Sequence, residues 1–569
     1  MEFHIPERKY LPKNFKVKDW ETLKPYFETL LNDEINSGEE LESWFHKLSE
    51  LEAVVSEEMA WRYIKMTCDT ADEKLAESFE DFVRNIQPHI APYTDKLNQK
   101  ALSSPFLAAV REKDGFDIMI REMEKDVEIY REENIPLETE ISSLSQKYGT
   151  ILGGMEIEYE GKQLTLQQAA VMLKSTNREL RESIYKKIAN RRLEDKTKLD
   201  ELFSELIRLR TDVAKNAAFA NYRDYMFKSM GRFDYTPQDC FDFHESVKKE
   251  VVPLLNEIAK ERKEKLDLIT LKPWDKAVDT SGKESLKPFN DAEDLTAKTI
   301  RVFNKLDPYL GDCLLKMIEM KHLDLESRKG KAPGGYNYPL SETGVPFIFM
   351  NATSTLQDMV TLLHEGGHAV HSFLMNDLEL TEFKNPPSEI AELASMSMEL
   401  ITLDYWDIFF DDEEELKRAK TEHLEGIIQT LPWVATIDKF QHWVYENPNH
   451  TLEDRKKAWN KIFDTFSDSF TDWSDLEEIK DYLWHKQLHL FEVPFYYIEY
   501  GMAQLGAIAV WKNFKENPEK GLESYMEALK LGYTKSIPEV YEKANIKFDF
   551  SKENISQLMN FVKSEMQNI

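Results

Sequence analysis

The chain has 569 residues, 41% of them hydrophobic and 31% charged, with a formal net charge of −31. That length can bury a large core and leaves room for more than one domain. The acidic excess repels polyphosphate and anionic lipid, which argues against nucleic acid and membrane surfaces as partners. Cys68, Cys240 and Cys313 are too few and too scattered for a disulfide framework or a Cys-rich metal site. No stretch approaches the roughly 18 apolar residues of a membrane span, and the charged N-terminus lacks an apolar signal region. A cytoplasmic protein is expected.

Helical periodicity runs through most of the chain. Leu41 to Met59, Leu180 to Ala214 and Cys240 to Leu266 place apolar residues three and four apart among Glu, Lys and Arg. Met155 to Tyr159 alternates, and after Glu160-Gly161-Lys162 the segment Gln163 to Thr165 can return as the second arm of a hairpin. The texture changes at Gly161 to Thr176. This gives an expected N-terminal helical region at 1–165, ending in the hairpin, and a larger domain at 166–569. Leu271 to Asn290 reads as a long loop. Val345 to Met350 is a short apolar run that follows the Gly- and Pro-containing Ala332 to Tyr338. The fold class is mainly α.

A few residues after that run stands His364-Glu365-Gly366-Gly367-His368, an H-E-x-x-H motif. Helical positions four apart share a face, so both imidazoles can bind one ion while Glu365 projects beside it. Zinc suits imidazole and carboxylate ligands in a tetrahedral site that keeps one position open. With this content of His and acidic residues, about 0.05 such motifs would arise by chance. The context is helical, with Leu356, Met359, Val360 and Leu363 on the approach. Two glycines inside a helix weaken it by about 1 kcal/mol each, which suggests close backbone packing or a substrate passing there. A metzincin spacing fails because His371 and Leu374 occupy the required positions, and thermolysin-type spacing would need Glu near Ser388 or Pro387. A new helix is expected from Ser388 as N-cap, and it carries Glu389, Glu392 and Glu399. Glu389 reads as a solvated carboxylate at the helix start.

HEGGHAVH (His364 to His371) followed by PSEIAELAS (Pro387 to Ser395) resembles the thimet oligopeptidase and oligoendopeptidase F family of zinc peptidases, which includes Pz-peptidase-like enzymes. The resemblance implies His364, His368 and Glu392 as ligands of one Zn2+ per chain, with Glu399 behind them. GKAPGGYNYP (Gly330 to Pro339) and VPFIFMN (Val345 to Asn351) are similar to that family's Gly-rich loop and edge strand. They imply substrate contacts at Gly334, Gly335 and Phe349, through pairing of an extended peptide with a strand edge. HLFEVPFYYIEYGMAQLG (His489 to Gly506) resembles the family's His- and Tyr-bearing segment. There Tyr500 and His489 match the oxyanion donors, and Tyr496 and Tyr497 line the peptide path. The spacing leaves Tyr497 and Tyr500 both open as the principal donor. The architecture implied is a neurolysin-like prolate helical body with a deep channel, a zincin helix and a small β-sheet beside it.

The expected activity is therefore cleavage of internal bonds in short, unstructured peptides by metal-activated water, with Glu365 as general base. The competing expectations are a non-hydrolytic peptide-binding protein on the same fold and a zinc exopeptidase.

Overall fold

Helices start mostly where a side chain can take up an orphan backbone N–H. Ser37, Asp291, Thr355, Thr451 and Asn517 each accept from the amide three residues on, a contact that stabilises by about 1 kcal/mol. The structure is a computed structural model that describes residues 5–569. The expected helix at Leu41 to Met59 lies within Gly38–Cys68. Leu180 to Ala214 forms two helices, Arg178–Glu194 and Lys196–Asn216, parted at Asp195, whose carboxylate takes Arg191 and Lys198. Cys240 to Leu266 also divides, into Pro237–Glu250 and Val252–Lys265, because Pro253 has no N–H to continue the ladder. The long loop is anchored at its start by a short turn, Pro273–Asp275. There the fully buried Asp275 accepts from Arg178 and Arg181.

The hairpin is present as β1 (Glu156–Tyr159) and β2 (Lys162–Thr165). Glu160 and Gly161 both take positive φ, 49° and 75°, as a tight two-residue connection requires. A second sheet contains β3 (Leu323–Glu326), β4 (Tyr336–Tyr338) and β5 (Phe347–Ala352) in the order β3-β5-β4. β5 runs parallel to β3 and antiparallel to β4. This corrects the expectation of an edge strand at Val345 to Met350. The run is central, with partners on both sides, and the edges belong to β3 and β4. The strand also begins at Phe347, since Pro346 cannot donate and the carbonyls of Val345 and Pro346 face His322 Nδ1 at 3.0 and 3.2 Å.

The chain groups into two compact units. One comprises the chain up to Glu128, Lys287–Ala419 and Ala503–Phe548, and includes a core around Phe27, Trp44, Phe45 and Phe116. The other comprises Ile129–Leu286, Lys420–Met502 and Asp549–Ile569. All three cysteines are free. Among the described residues no helix is long and apolar enough to cross a membrane.

Candidate functional site

The H-E-x-x-H motif lies on a helix of its own, Leu356–Leu374, fixed at its start by a capping box between Thr355 and Asp358. A second helix, Ser388–Ile401, packs on it. Pro387 rather than Ser388 is its N-cap, and no side chain caps it. The motif glycines explain the close approach. A Cβ on Gly367 would lie 2.7 Å from Ser395 Cα and 2.9 Å from the Ala394 carbonyl oxygen. One on Gly366 would meet the Phe303 ring at 2.7 Å. Close packing thus accounts for both, against an aromatic ring at Gly366 and against the backbone of the second helix at Gly367, and the latter brings the acidic residues of that helix to the histidines.

Glu392 Oε2 stands 3.3 Å from His364 Nε2 and 3.7 Å from His368 Nε2. One ligand atom from each of the three residues lies within 4.8 Å of the other two. Bonds of about 2.1 Å around tetrahedral zinc put neighbouring ligand atoms roughly 3.4 Å apart, so the set fits that ion in donor type and in spacing. Further groups hold these three side chains in place. His364 Nδ1 lies 2.6 Å from Glu399 Oε1, and the second nitrogen of His368 is matched by the Ala391 backbone. Ser395 Oγ donates to Glu392 Oε2 at 3.1 Å. Burial opposes charge on His364, yet its bonds to Glu392 and Glu399 hold its pKa well above the ordinary value. Burial lowers His368 to about 4. Glu392 is lowered to about 2, because the two histidines outweigh the penalty of its burial. Glu389 is only 2% exposed, which corrects its reading as a solvated carboxylate. The Tyr541 hydroxyl donates to its carbonyl, tying down the helix start.

Glu365 is buried, and that burial pushes its carboxyl up to about 7. Asn337 of β4 donates from its side chain to the Glu365 carbonyl at 3.1 Å, which places the edge strand against the motif helix. Gly334, just before β4, has φ 98° with open space around it, and its carbonyl accepts from Asn351. Gly335 packs closely on the Phe349 carbonyl. Phe349 is fully buried, stacked on Tyr336 at 4.8 Å, and its backbone is paired on both sides. Its side chain is core, and the free edge lies one strand away.

All these residues belong to the first unit. His489, Tyr496, Tyr497 and Tyr500 form a cluster in the second. The His489 ring lies 5.9, 4.7 and 5.7 Å from those of Tyr496, Tyr497 and Tyr500. The cluster sits on a strained turn, since Phe495 has φ 72°, which costs a non-glycine residue about 1–2 kcal/mol. Its N–H donates to Gln441 at 2.7 Å, and its carbonyl accepts from Arg232, which also pairs with Glu499. Gln487 lies 2.7 Å from His489 Nδ1 and accepts from Trp433 at 2.9 Å. Burial raises the Tyr497 hydroxyl to about 12, against hydrogen bonds with Gln487 and Trp433. The sequence reading singled out neither Gln487, Asn337 nor Ser395. Asn337 and Ser395 lie inside segments quoted for the resemblance and Gln487 two residues before one, but only the third dimension shows what they touch.

The sequence profile of Peptidase family M3 matches residues 171–560, and that of the Peptidase M3 N-terminal domain matches residues 12–130. A curated relative from Borreliella burgdorferi, an oligoendopeptidase F homolog, is 27% identical over 296 residues, half of this chain. Oligopeptidase PepF of Bacillus subtilis is 23% identical over 400 residues, 68% of this chain. The matched region spans 48% of the first relative's length and 56% of the second's. The solved structure of PZ peptidase A with an inhibitor superposes with a TM-score of 0.91 at 27% identity, covering 98% of both chains.

Proposed function

The chain belongs to peptidase family M3, and from that premise we propose that it is a zinc-dependent endopeptidase cutting internal bonds of short, unstructured peptides. The observation that carries this reading is the meeting of His364, His368 and Glu392 at zinc spacing, with Glu399 2.6 Å behind His364. Zinc held there would supply Lewis acidity towards a water molecule and the scissile carbonyl. Glu365, next to the first ligand on the same helix, takes the proton of the attacking water and passes it to the leaving amine. Tyr500 and His489 donate hydrogen bonds to the oxyanion as charge gathers on it. Tyr500 is preferred to Tyr497 because it is the better match to the family's oxyanion donor, which the resemblance implies. Tyr496 and Tyr497 line the peptide path. The β4 edge, preceded by Gly334 and Gly335, offers main-chain groups to an extended substrate. A reducing, cytoplasmic setting suits three free cysteines.

The test is an internally quenched peptide blocked at both ends, incubated with zinc-replete protein, with protein stripped by a chelator, and with Glu365→Gln. Cleavage by the first sample alone is expected, with at least about a hundredfold loss in the variant while its zinc stays stoichiometric. Cutting only unblocked peptides would make it an exopeptidase. Binding without cutting would leave a peptide-binding protein.

A further inference from the structure

Trp433 has a single polar group, an indole N–H that can only donate. It faces Gln487 Oε1 at 2.9 Å, which settles which end of that amide is the oxygen. The other end, the NH2 group, therefore turns to His489, with the amide nitrogen 2.7 Å from the ring's Nδ1. An amide NH2 donates and has no lone pair to accept with, so a proton on Nδ1 would set two donors against each other. Turning the amide over only moves that conflict to the Trp433 N–H. One indole thus sets the direction of a relay that runs from Trp433 through Gln487 to His489. Tyr497 lies against Gln487 and Trp433 as well, but a hydroxyl adapts to either direction and imposes none.

Each member of the relay is held from behind. Trp433 lies in the helix Glu413–Glu446, with its ring edge-on to Trp459 at 6.1 Å. Trp459 is fully buried and donates to the Lys480 carbonyl at 2.8 Å. Gln487 is 9% exposed, and its backbone N–H donates to the Trp484 carbonyl at 2.9 Å. The backbone on either side is pinned too. Tyr148 donates to the His485 carbonyl, and the fully buried Arg210 donates to those of Leu490 and Phe491. Packing alone would be served equally well by either tautomer of His489. A donor-only group fixed at the head of the relay serves just one of them.

We propose that Trp433 and Gln487 are positioning residues that keep His489 in its Nε2–H form, with the lone pair on Nδ1 and the one ring proton available to a substrate oxygen. The tautomer follows from the relay alone, whereas its use rests on the peptidase reading. There Nε2–H donates to the carbonyl oxygen as charge gathers on it, and the opposite tautomer would present a lone pair to an anion. Because the relay is built into one unit, the donor is set before any substrate arrives.

The experiment is nitrogen NMR of the zinc-loaded full chain with isotopically labelled histidines, the His489 signals being those absent from His489→Gln. Long-range couplings to the ring's carbon-bound protons distinguish a protonated nitrogen from a bare one. The parent, at the pH of the activity assay, should show a bare Nδ1 and a protonated Nε2. Gln487→Glu keeps the shape but can only accept, so Nδ1 should gain a proton. Gln487→Met removes the donor to the ring, and Trp433→Phe leaves the amide free to turn over. Both should show His489 nitrogens averaged between the two tautomers, with zinc content kept. Their kcat on a quenched peptide should be at least about fivefold lower, with KM within about twofold of the parent's. A protonated Nδ1 in the parent overturns the proposal without recourse to any substitution at the relay. So does an unchanged His489 spectrum in Gln487→Glu, or a parental kcat in Gln487→Met. A lower kcat with His489 still in a single Nε2–H form would make Gln487 structural, which also overturns it. If the parent cuts no peptide, the peptidase reading fails while the spectra still decide the tautomer.

Discussion

Gly367→Ala isolates the packing that brings Glu392 to the histidines. In an exposed helix this substitution would stabilise the chain by about 1 kcal/mol. Here the new methyl would stand 2.7 Å from Ser395 Cα and 2.9 Å from the Ala394 carbonyl oxygen, both backbone atoms that no rotamer change can move aside. Relief to an ordinary contact of 3.4 Å requires the two helices to part by about 0.7 Å. Overpacking of this kind costs about 1–3 kcal/mol, so the net effect on the metal-free protein is a loss of about 0–2 kcal/mol. The larger consequence falls on metal binding. Ligand distances in a working site hold to about 0.2 Å, and Glu392 sits one turn from the displaced Ser395. Zinc affinity should therefore fall at least about tenfold, towards the losses seen when supporting contacts are removed. The control is Gly426→Ala, within the helix Glu413–Glu446, where a Cβ meets nothing within 4 Å. It should gain about 1 kcal/mol and leave zinc untouched. Urea melts of the metal-free proteins give the first quantity, and competition with a chromophoric chelator gives the second. If Gly367→Ala binds zinc as tightly as the parent and unfolds at the same urea concentration, close helix contact is not what sets the ligand geometry.

Glu399→Gln should reduce zinc affinity about 10–100-fold in the same competition assay, because His364 Nδ1 loses the carboxylate that orients the ring. Unchanged affinity would leave Glu399 a bystander. Tyr500→Phe should lower kcat by the equivalent of about 2.7–4 kcal/mol with KM and zinc content little changed, and a normal kcat would move the donor role to Tyr497. Asp275→Asn strips the buried Arg181 of its anion and should destabilise by about 3–5 kcal/mol near neutral pH. Asp275 has a depressed pKa, since its bonds to Arg178 and Arg181 outweigh its burial. Its contribution is thus fully present above the unfolded carboxylate value of about 3.9 and is lost as pH falls through the folded value. Melts at descending pH should show parent and variant converging, and a constant gap would refute the linkage.

How much the chain discloses of itself depends on the range of each signal. The motif helix is legible because two histidines four apart need only local geometry to share a face, and Thr355 with Asp358 marks its start. The candidate carboxylate ligand needed the resemblance, since spacing alone left Glu389, Glu392 and Glu399 in play. The structure separates them by what each touches: Glu392 meets both rings, Glu399 stands behind one, and Glu389 turns up buried at the helix start. Strand order was not legible. The apolar run before the motif looks the same whether it is paired on one side or two, and its near-complete burial from Phe347 to Met350 is what a central strand shows. That difference bears on the proposed function, because the edge offered to a peptide would pass from β5 to β4, and Asn337 of β4 bonds the Glu365 backbone. The strand that would align the substrate is thus fixed to the residue that would activate the water. A shift of β4 along β5 would move both together, so under the proposed mechanism register there would bear on catalysis as directly as His364, His368 and Glu392 would.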